Sequence, residues 1–410
     1  MRAKGFWAGP GSSRGRSIIK LLRLPLLAAV CLASRLFAGN SLVDAGYDHF
    51  YNLEFDQALA NFDQAIAQDP NNPDLHNHAA ETVVFSEMYR DGALESELVT
   101  GNNSLLRRAR LNPAPETQKR FVGEIQKALD LEQARLRRNS NDTGALYAMG
   151  ITYGLRANYY FLVQKDWVSA LHDSTTARKQ HNRVSELDPK NVDARLVQGL
   201  HDYVIGSLPA MYKMFGFLIG FHGDKERGIR IVEQVAAGGS LNRIDAQIFL
   251  AAIYRRERHP AKALPLVDSL IARFPRNYLL RFEQAEMYSG LGDGKKAVAS
   301  VQQVAQLKTQ GSAGYARVPW ESIYYHLGTI QFWYGDLDGA LANMQKVTAH
   351  AEEVDLNTGV LAWMRVGQIY DLTQRHSLAI EAYKKAMAYA PEAEAARESR
   401  RYISAPYRRP

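Results

Sequence analysis

The sequence predicts an all-α fold, an α-solenoid of stacked helical hairpins, on two observations. The first is a repeat: residues 247–275 place Leu250, Ala251 and Tyr254 on one helical face and Ala263, Val267 and Leu270 on a second, with Pro275 following. Residues 281–306 restate this plan, because Ala285 and Tyr288 fall 34 residues after Ala251 and Tyr254, and Ala297, Val301 and Val304 fall 34 after Ala263, Val267 and Leu270. The second is a pair of small residues 12 apart, seen in Gly46/Ala58, Ala251/Ala263, Ala285/Ala297, Gly328/Ala340 and Gly367/Ala379. Small side chains there let the two helices of one hairpin approach closely. No long alternating β-branched run argues for strands.

A period of 34 residues is that of the tetratricopeptide repeat. One hairpin cannot bury both its faces, so copies stack into a superhelix whose concave surface suits a partner. The expected fold is thus a tetratricopeptide-type helical-hairpin superhelix of seven to eight hairpins, two of them lengthened.

In chain order, residues 1–38 read as a targeting segment. Arg2, Lys4, Arg14, Arg16, Lys20 and Arg23 precede the apolar run 24–33, and Ala38 and Gly39 follow. The run is too short to span a bilayer. A signal peptide cleaved after Ala38 is expected, with an uncleaved N-terminal anchor as the alternative, since Arg35 and Leu36 fit a cleavage site poorly. Cys31 does not complete a lipobox, because Val30 stands where Gly or Ala is needed. Export of a chain whose one cysteine lies in its leader suits a bacterial periplasm. The alternative location is a membrane surface.

The leader carries seven basic residues and no acidic one, so the net +7 of the whole chain leaves 0 for the rest. A basic isoelectric point is then no argument for nucleic acid, and none is expected as a partner. Residues 39–142 read as one hairpin plus an irregular insertion at 91–115 and a helix at 116–138. Residues 143–391 read as the main array. In its third repeat 27 positions separate Gly150 from Ala177, and in its fourth 29 separate Gly199 from Gly228, where 12 suffice elsewhere. Residues 392–410, with Arg397, Arg400, Arg401, Arg408 and Arg409, read as a solvated basic tail.

The fourth repeat holds the apolar segment 204–221, with Lys213 its one charge and Pro209 among its breakers. The plain reading is a fold-back filling the array; Phe217 and Phe221 are the candidates for apolar contact if it meets a partner or lipid. Its Gly206-Ser-Leu-Pro and Gly220-Phe-His-Gly-Asp-Lys-Glu-Arg-Gly-Ile resemble a signature of the eukaryotic inclusion-body-clearance family of tetratricopeptide proteins, some of which associate with the mitochondrial outer membrane. The resemblance runs through Ala272-Arg-Phe-Pro-Arg-Asn and covers residues 144–391. It implies a non-enzymatic adaptor with an apolar turn in mid-array. The leader and the first 140 residues depart from that family.

Chemistry is sparse. His76-Asn77-His78 lacks a metal frame, and Gly290-Leu-Gly-Asp-Gly-Lys295 fails as a phosphate loop because Lys296 stands where Ser or Thr holds magnesium. No catalytic residue, cofactor, metal or small-molecule substrate is expected; Glu81 and Glu87 read as solvated or capping carboxylates rather than an acid/base pair. Concave-facing positions carry Tyr203, Tyr325, Phe332, Trp333 and the Arg255/Arg256 pair, an aromatic groove suited to an apolar peptide. The alternative for these rings is packing within the array. The expected function is a scaffold or adaptor holding a protein or peptide partner; a membrane-associated or lipid-handling protein acting through 204–221 is the alternative.

Overall fold

The computed structural model describes residues 41–92, 94, 111–207 and 223–409. The leader and most of the apolar segment, Phe217 and Phe221 included, lie outside the described residues. Among the described residues the chain forms seventeen α-helices and no strand. They are α1 (Ser41–Tyr51), α2 (Phe55–Gln68), α3 (Pro73–Arg90), α4 (Pro115–Arg138), α5 (Thr143–Tyr159), α6 (Trp167–Leu187), α7 (Leu196–Gly206), α8 (Lys225–Gly238) and α9 (Arg243–Arg256). There follow α10 (Pro260–Arg273), α11 (Tyr278–Gly290), α12 (Gly294–Thr309), α13 (Trp320–Tyr334), α14 (Leu337–Ala349), α15 (Leu356–Leu372), α16 (His376–Tyr389) and α17 (Glu394–Ser404). Consecutive helices pair into eight hairpins, α1/α2 to α15/α16, and α17 packs as a last single helix on α15 and α16.

Local chemistry starts these helices. The second helix of hairpins three, four, six and seven opens behind Asp166, Asp224, Asp293 and Asp336, each accepting a hydrogen bond at 3.0 Å from the N–H three residues on. Each such cap contributes about 1 kcal/mol. At α3, Asn72 caps and Pro73 supplies the preset first position. Inside the hairpins, Ala58, Ala263, Ala297, Ala340 and Ala379 are fully buried, as the small-residue spacing requires. A Cβ on Gly367 would lie 2.4 Å from the Tyr383 ring, so the ring occupies the space that the missing side chain leaves.

Three stretches differ from their sequence reading. The helix at 115–138 is not isolated: α4 pairs with α3, and Phe121, Ile125 and Leu129 bury against Ala80, Val83 and Val84. Helix α3 is apolar on two sides, because α2 takes one and leaves the other, so α3 and α4 pair as a second hairpin; most of the insertion expected at 91–115 lies outside the described residues. The lengthened third hairpin carries a π-helical turn, Tyr160–Gln164, ending at Lys165 with a left-handed φ of 57°. The supposed tail is largely α17, with Ala395, Ala396 and Ser399 buried and Arg397, Arg400 and Arg401 exposed. A one-sided stripe of small residues at helical spacing makes it a capping helix rather than a solvated strand of charge.

Candidate functional site

The first helices of the hairpins, expected to line the concave surface, carry their polar and aromatic contacts in two parts. In the first, hairpin one meets hairpins five and six. The Arg276 main-chain N–H donates to Asn52 Oδ1 at 3.0 Å, its Nε to Glu54 Oε1 at 2.8 Å and a terminal nitrogen to Asp48 Oδ2 at 2.7 Å. Asn277 Nδ2 donates to the Tyr51 carbonyl at 2.8 Å, and the Tyr51 and Phe274 rings lie 4.9 Å apart. Burial pushes the Glu54 carboxyl up, but bonding to Arg276 and His49 outweighs it and holds the group below its usual range. The array is thereby closed on itself across more than 220 residues of sequence.

Inside this closure, Tyr47 Oη lies 2.7 Å from His78 Nδ1, and Tyr51 Oη donates to Asp245 Oδ1 at 2.9 Å. Glu81 sits 3.5 Å from Tyr47 Oη. Burial, then the charge of Asp245, raises the Glu81 carboxyl; burial also raises Asp245. Burial lowers His78 to about 4, so its imidazole is neutral at pH 7. Burial thus favours the uncharged form of all three groups, most fully at His78 and Glu81. Sequence reasoning noticed Glu81 only to set it aside and missed His78 and Asp245 as partners, because their meeting depends on the closure between hairpins one and five. His76 is committed elsewhere: it bonds Glu124 at 2.6 Å and the Pro70 carbonyl at 3.0 Å.

The second part, on hairpins five to eight, holds most of the residues expected to line a groove. Tyr203 is buried in hairpin four, its Oη 3.2 Å from Glu257 Oε1, and burial pushes its phenol up to about 12. Arg256 is exposed, and its charge reaches Tyr203 and Glu257. Arg255 is paired with Glu283, whose carboxyl burial raises to about 8. Tyr325 is buried, with its phenol raised by burial, and feels both Arg365 and Glu286. Phe332 is 0 % exposed, whereas its neighbour Trp333 is 50 % exposed. Above them stands Arg365, which sequence reasoning did not single out: its guanidinium carbon is 4.1 Å from the Phe332 ring centre and 5.2 Å from that of Trp333. The six residues therefore form two groups, Tyr203 with Arg256 and Phe332 with Trp333, with Tyr325 beside the second. Arg255 stands apart in its ion pair.

Gly290–Lys295, the discounted phosphate-loop likeness, is the turn between α11 and α12, where Asp293 caps α12. Among the described residues no three potential ligands converge as a metal site, and no helix is long and apolar enough to cross a membrane.

The tetratricopeptide repeat family matches residues 43–83 and 360–392, which are the first hairpin with the start of α3 and the last hairpin. No curated protein matches the chain. Three similar solved structures are the Cut9–Hcn1 hetero-tetramer of the APC/C, yeast Tom70 and a human IFIT1 dimer with m7Gppp-AAAA. The first has 14% identity and a TM-score of 0.48 over 86% of this chain, and this chain spans about half, 53%, of its length. Tom70 has 12% identity and a TM-score of 0.41, covering 89% of this chain and 94% of its own. IFIT1 has 14% identity and a TM-score of 0.45, covering 89% and 84%. With repeat matches at both ends of one run of eight hairpins, the chain is a tetratricopeptide-type helical superhelix.

Proposed function

We propose that this protein is a non-catalytic scaffold that holds a segment of a partner protein on the open part of its inner face, over hairpins five to eight. One observation carries the reading. Trp333 stands half-exposed on a first helix, seated on a buried phenyl ring and flanked by an arginine. A rigid ring left uncovered beside a cation is the kind of anchor on which a few residues supply most of an interface's affinity. The resemblance of residues 144–391 to inclusion-body-clearance proteins supports an adaptor role, and the basic-then-apolar leader supports action outside the cytoplasm. The reading is tested by using the chain as bait in its host with and without Trp333→Ala plus Arg256→Ala. Specific partners should be lost from the double variant while its circular dichroism is unchanged. Retention of every partner would refute the assignment of this surface.

A further inference from the structure

Resting on that reading, we infer that the open part of the groove takes a carboxylate from an acidic segment of the partner, held by Arg365 and Arg409 beside Trp333. Two guanidinium groups converge on one ring: Arg365 lies 4.1 Å and Arg409 5.3 Å from the centre of Phe332. A ring face attracts a cation but leaves its charge unneutralised. Their hydrogen bonds are to neutral acceptors as well. Arg365 donates to Gln368 Oε1 at 2.8 Å, and Arg409 donates to the Phe332 carbonyl.

The acidic groups nearby are engaged elsewhere. Asp371 accepts from Tyr383 Oη at 2.7 Å and from the Tyr407 N–H at 2.8 Å, and pairs with His376 at 2.6 Å. Glu398, whose charge reaches Arg365, accepts from Tyr402 Oη at 2.5 Å and lies 3.9 Å from Arg401. Among the described residues neither Arg365 nor Arg409 forms an ion pair with a carboxylate of this chain. Two like charges brought to one apolar ring are a cost that an incoming anion offsets, and a guanidinium fork matches a carboxylate in two bonds.

The neighbouring surface distinguishes an acidic protein segment from a nucleic acid. The Tyr325 phenol feels the charges of both Arg365 and Glu286. A phosphate backbone carries charge at every nucleotide and would meet the half-buried Glu286 carboxylate near the arginines. A protein segment can place one acidic side chain at the arginines and apolar or basic ones beyond.

The test is fluorescence anisotropy at low ionic strength with a fluorescein-labelled peptide of alternating leucine and glutamate, its glutamine counterpart, and an oligouridylate of equal length. The protein should bind the glutamate peptide about tenfold more tightly than the glutamine peptide, the effect of one charge-assisted bond. Arg365→Gln should remove that preference, the exposed Arg409→Gln should reduce it, and Arg365→Lys should keep most of it. Since Arg365 also packs on two rings, the Arg409→Gln result stands if Arg365→Gln is misfolded. Equal binding of both peptides, lost in Trp333→Ala, would overturn the carboxylate while leaving the groove in place. Failure to bind either peptide also overturns the carboxylate, and partner capture by the full chain then judges the groove separately. Tighter binding of the oligouridylate than of the glutamate peptide would reassign the arginines to phosphate.

Discussion

The two parts are built from first helices of different hairpins, α1, α3 and α9 against α13 and α15, and end in opposite states. On hairpins one, two and five, Tyr47 bonds His78 and Glu81 while Tyr51 bonds Asp245, and Arg276 ties hairpin one to the turn before hairpin six. Over hairpins seven and eight, Phe332 is covered but Trp333 is left open, and Arg365 rests on rings without an ion-paired carboxylate. In the closed part burial is relieved by giving up charge: the carboxyls are raised and the histidine lowered. In the open part the guanidinium keeps its charge, since burial lowers its pKa but cannot neutralise an arginine at neutral pH. The repeat plan therefore sets which residues the first helices carry, while contacts between distant hairpins set which of them are covered.

Four substitutions break or sharpen this contrast. The largest effect is expected from Phe332→Ala, which removes a fully buried ring under Arg365 and Arg409 and should cost about 3–5 kcal/mol in urea unfolding. An effect below about 1 kcal/mol would mean that Phe332 is not the platform of the open part. Next, Arg276→Ala removes the guanidinium from Glu54 and Asp48, leaving Glu54 only His49, and should cost about 1–3 kcal/mol. Its signature is local: hydrogen exchange should accelerate in α1 and α2 and stay unchanged in α13 and α15. Acceleration spread evenly over all hairpins would argue against a distinct closed part.

The third concerns pH. Glu81 and Asp245 have raised folded-state pKa values, so the folded protein holds more protons than the unfolded chain once pH exceeds the unfolded carboxylate range. The contribution of these two carboxyls is therefore full in acid and falls as pH rises through their folded-state range, whereas His78 and Glu54, lowered in the folded state, contribute in the opposite sense in acid. Glu81→Gln removes one of the two charges and should stabilise by on the order of 1–2 kcal/mol at pH 8 with little change at pH 4. The same gain at both pH values would show that packing, not charge, is at work. The smallest stability effect is expected at Trp333→Ala, within about 0.5 kcal/mol because the ring is 50 % exposed. Its loss should appear in partner binding instead. A large loss of stability would place Trp333 in the core and remove it from the site.

Much of the architecture was legible in the chain. The 34-residue period and the Gly/Ala pairs located hairpins one, five, six, seven and eight, because they are direct consequences of helix-on-helix packing. Helix α4 was visible as a helix but not as α3's partner, since residues 91–114 obscure the spacing that marks a hairpin. The small stripe of Ala395, Ala396 and Ser399 was readable in α17, but five neighbouring arginines drew attention to charge instead. The site was less legible. Tyr325, Phe332 and Trp333 lie on one helix, α13, yet the first two are buried and the third is open. That difference is made by Arg365 and by Tyr407 and Arg409 of the chain's end, which pack over Phe332 from elsewhere in the sequence. Contacts between hairpins one and five, or one and six, have no local pattern at all.

The most direct test places a photocrosslinking benzoylphenylalanine at Trp333 in one variant and at Tyr47 in another, each irradiated in the native host. The account predicts a discrete intermolecular adduct from position 333, diminished when Arg365→Gln is added, and only intramolecular products from position 47. Intermolecular adducts from position 47 with none from position 333 would contradict it, since the partner would then enter the part held closed by the chain's own tyrosines and carboxyls.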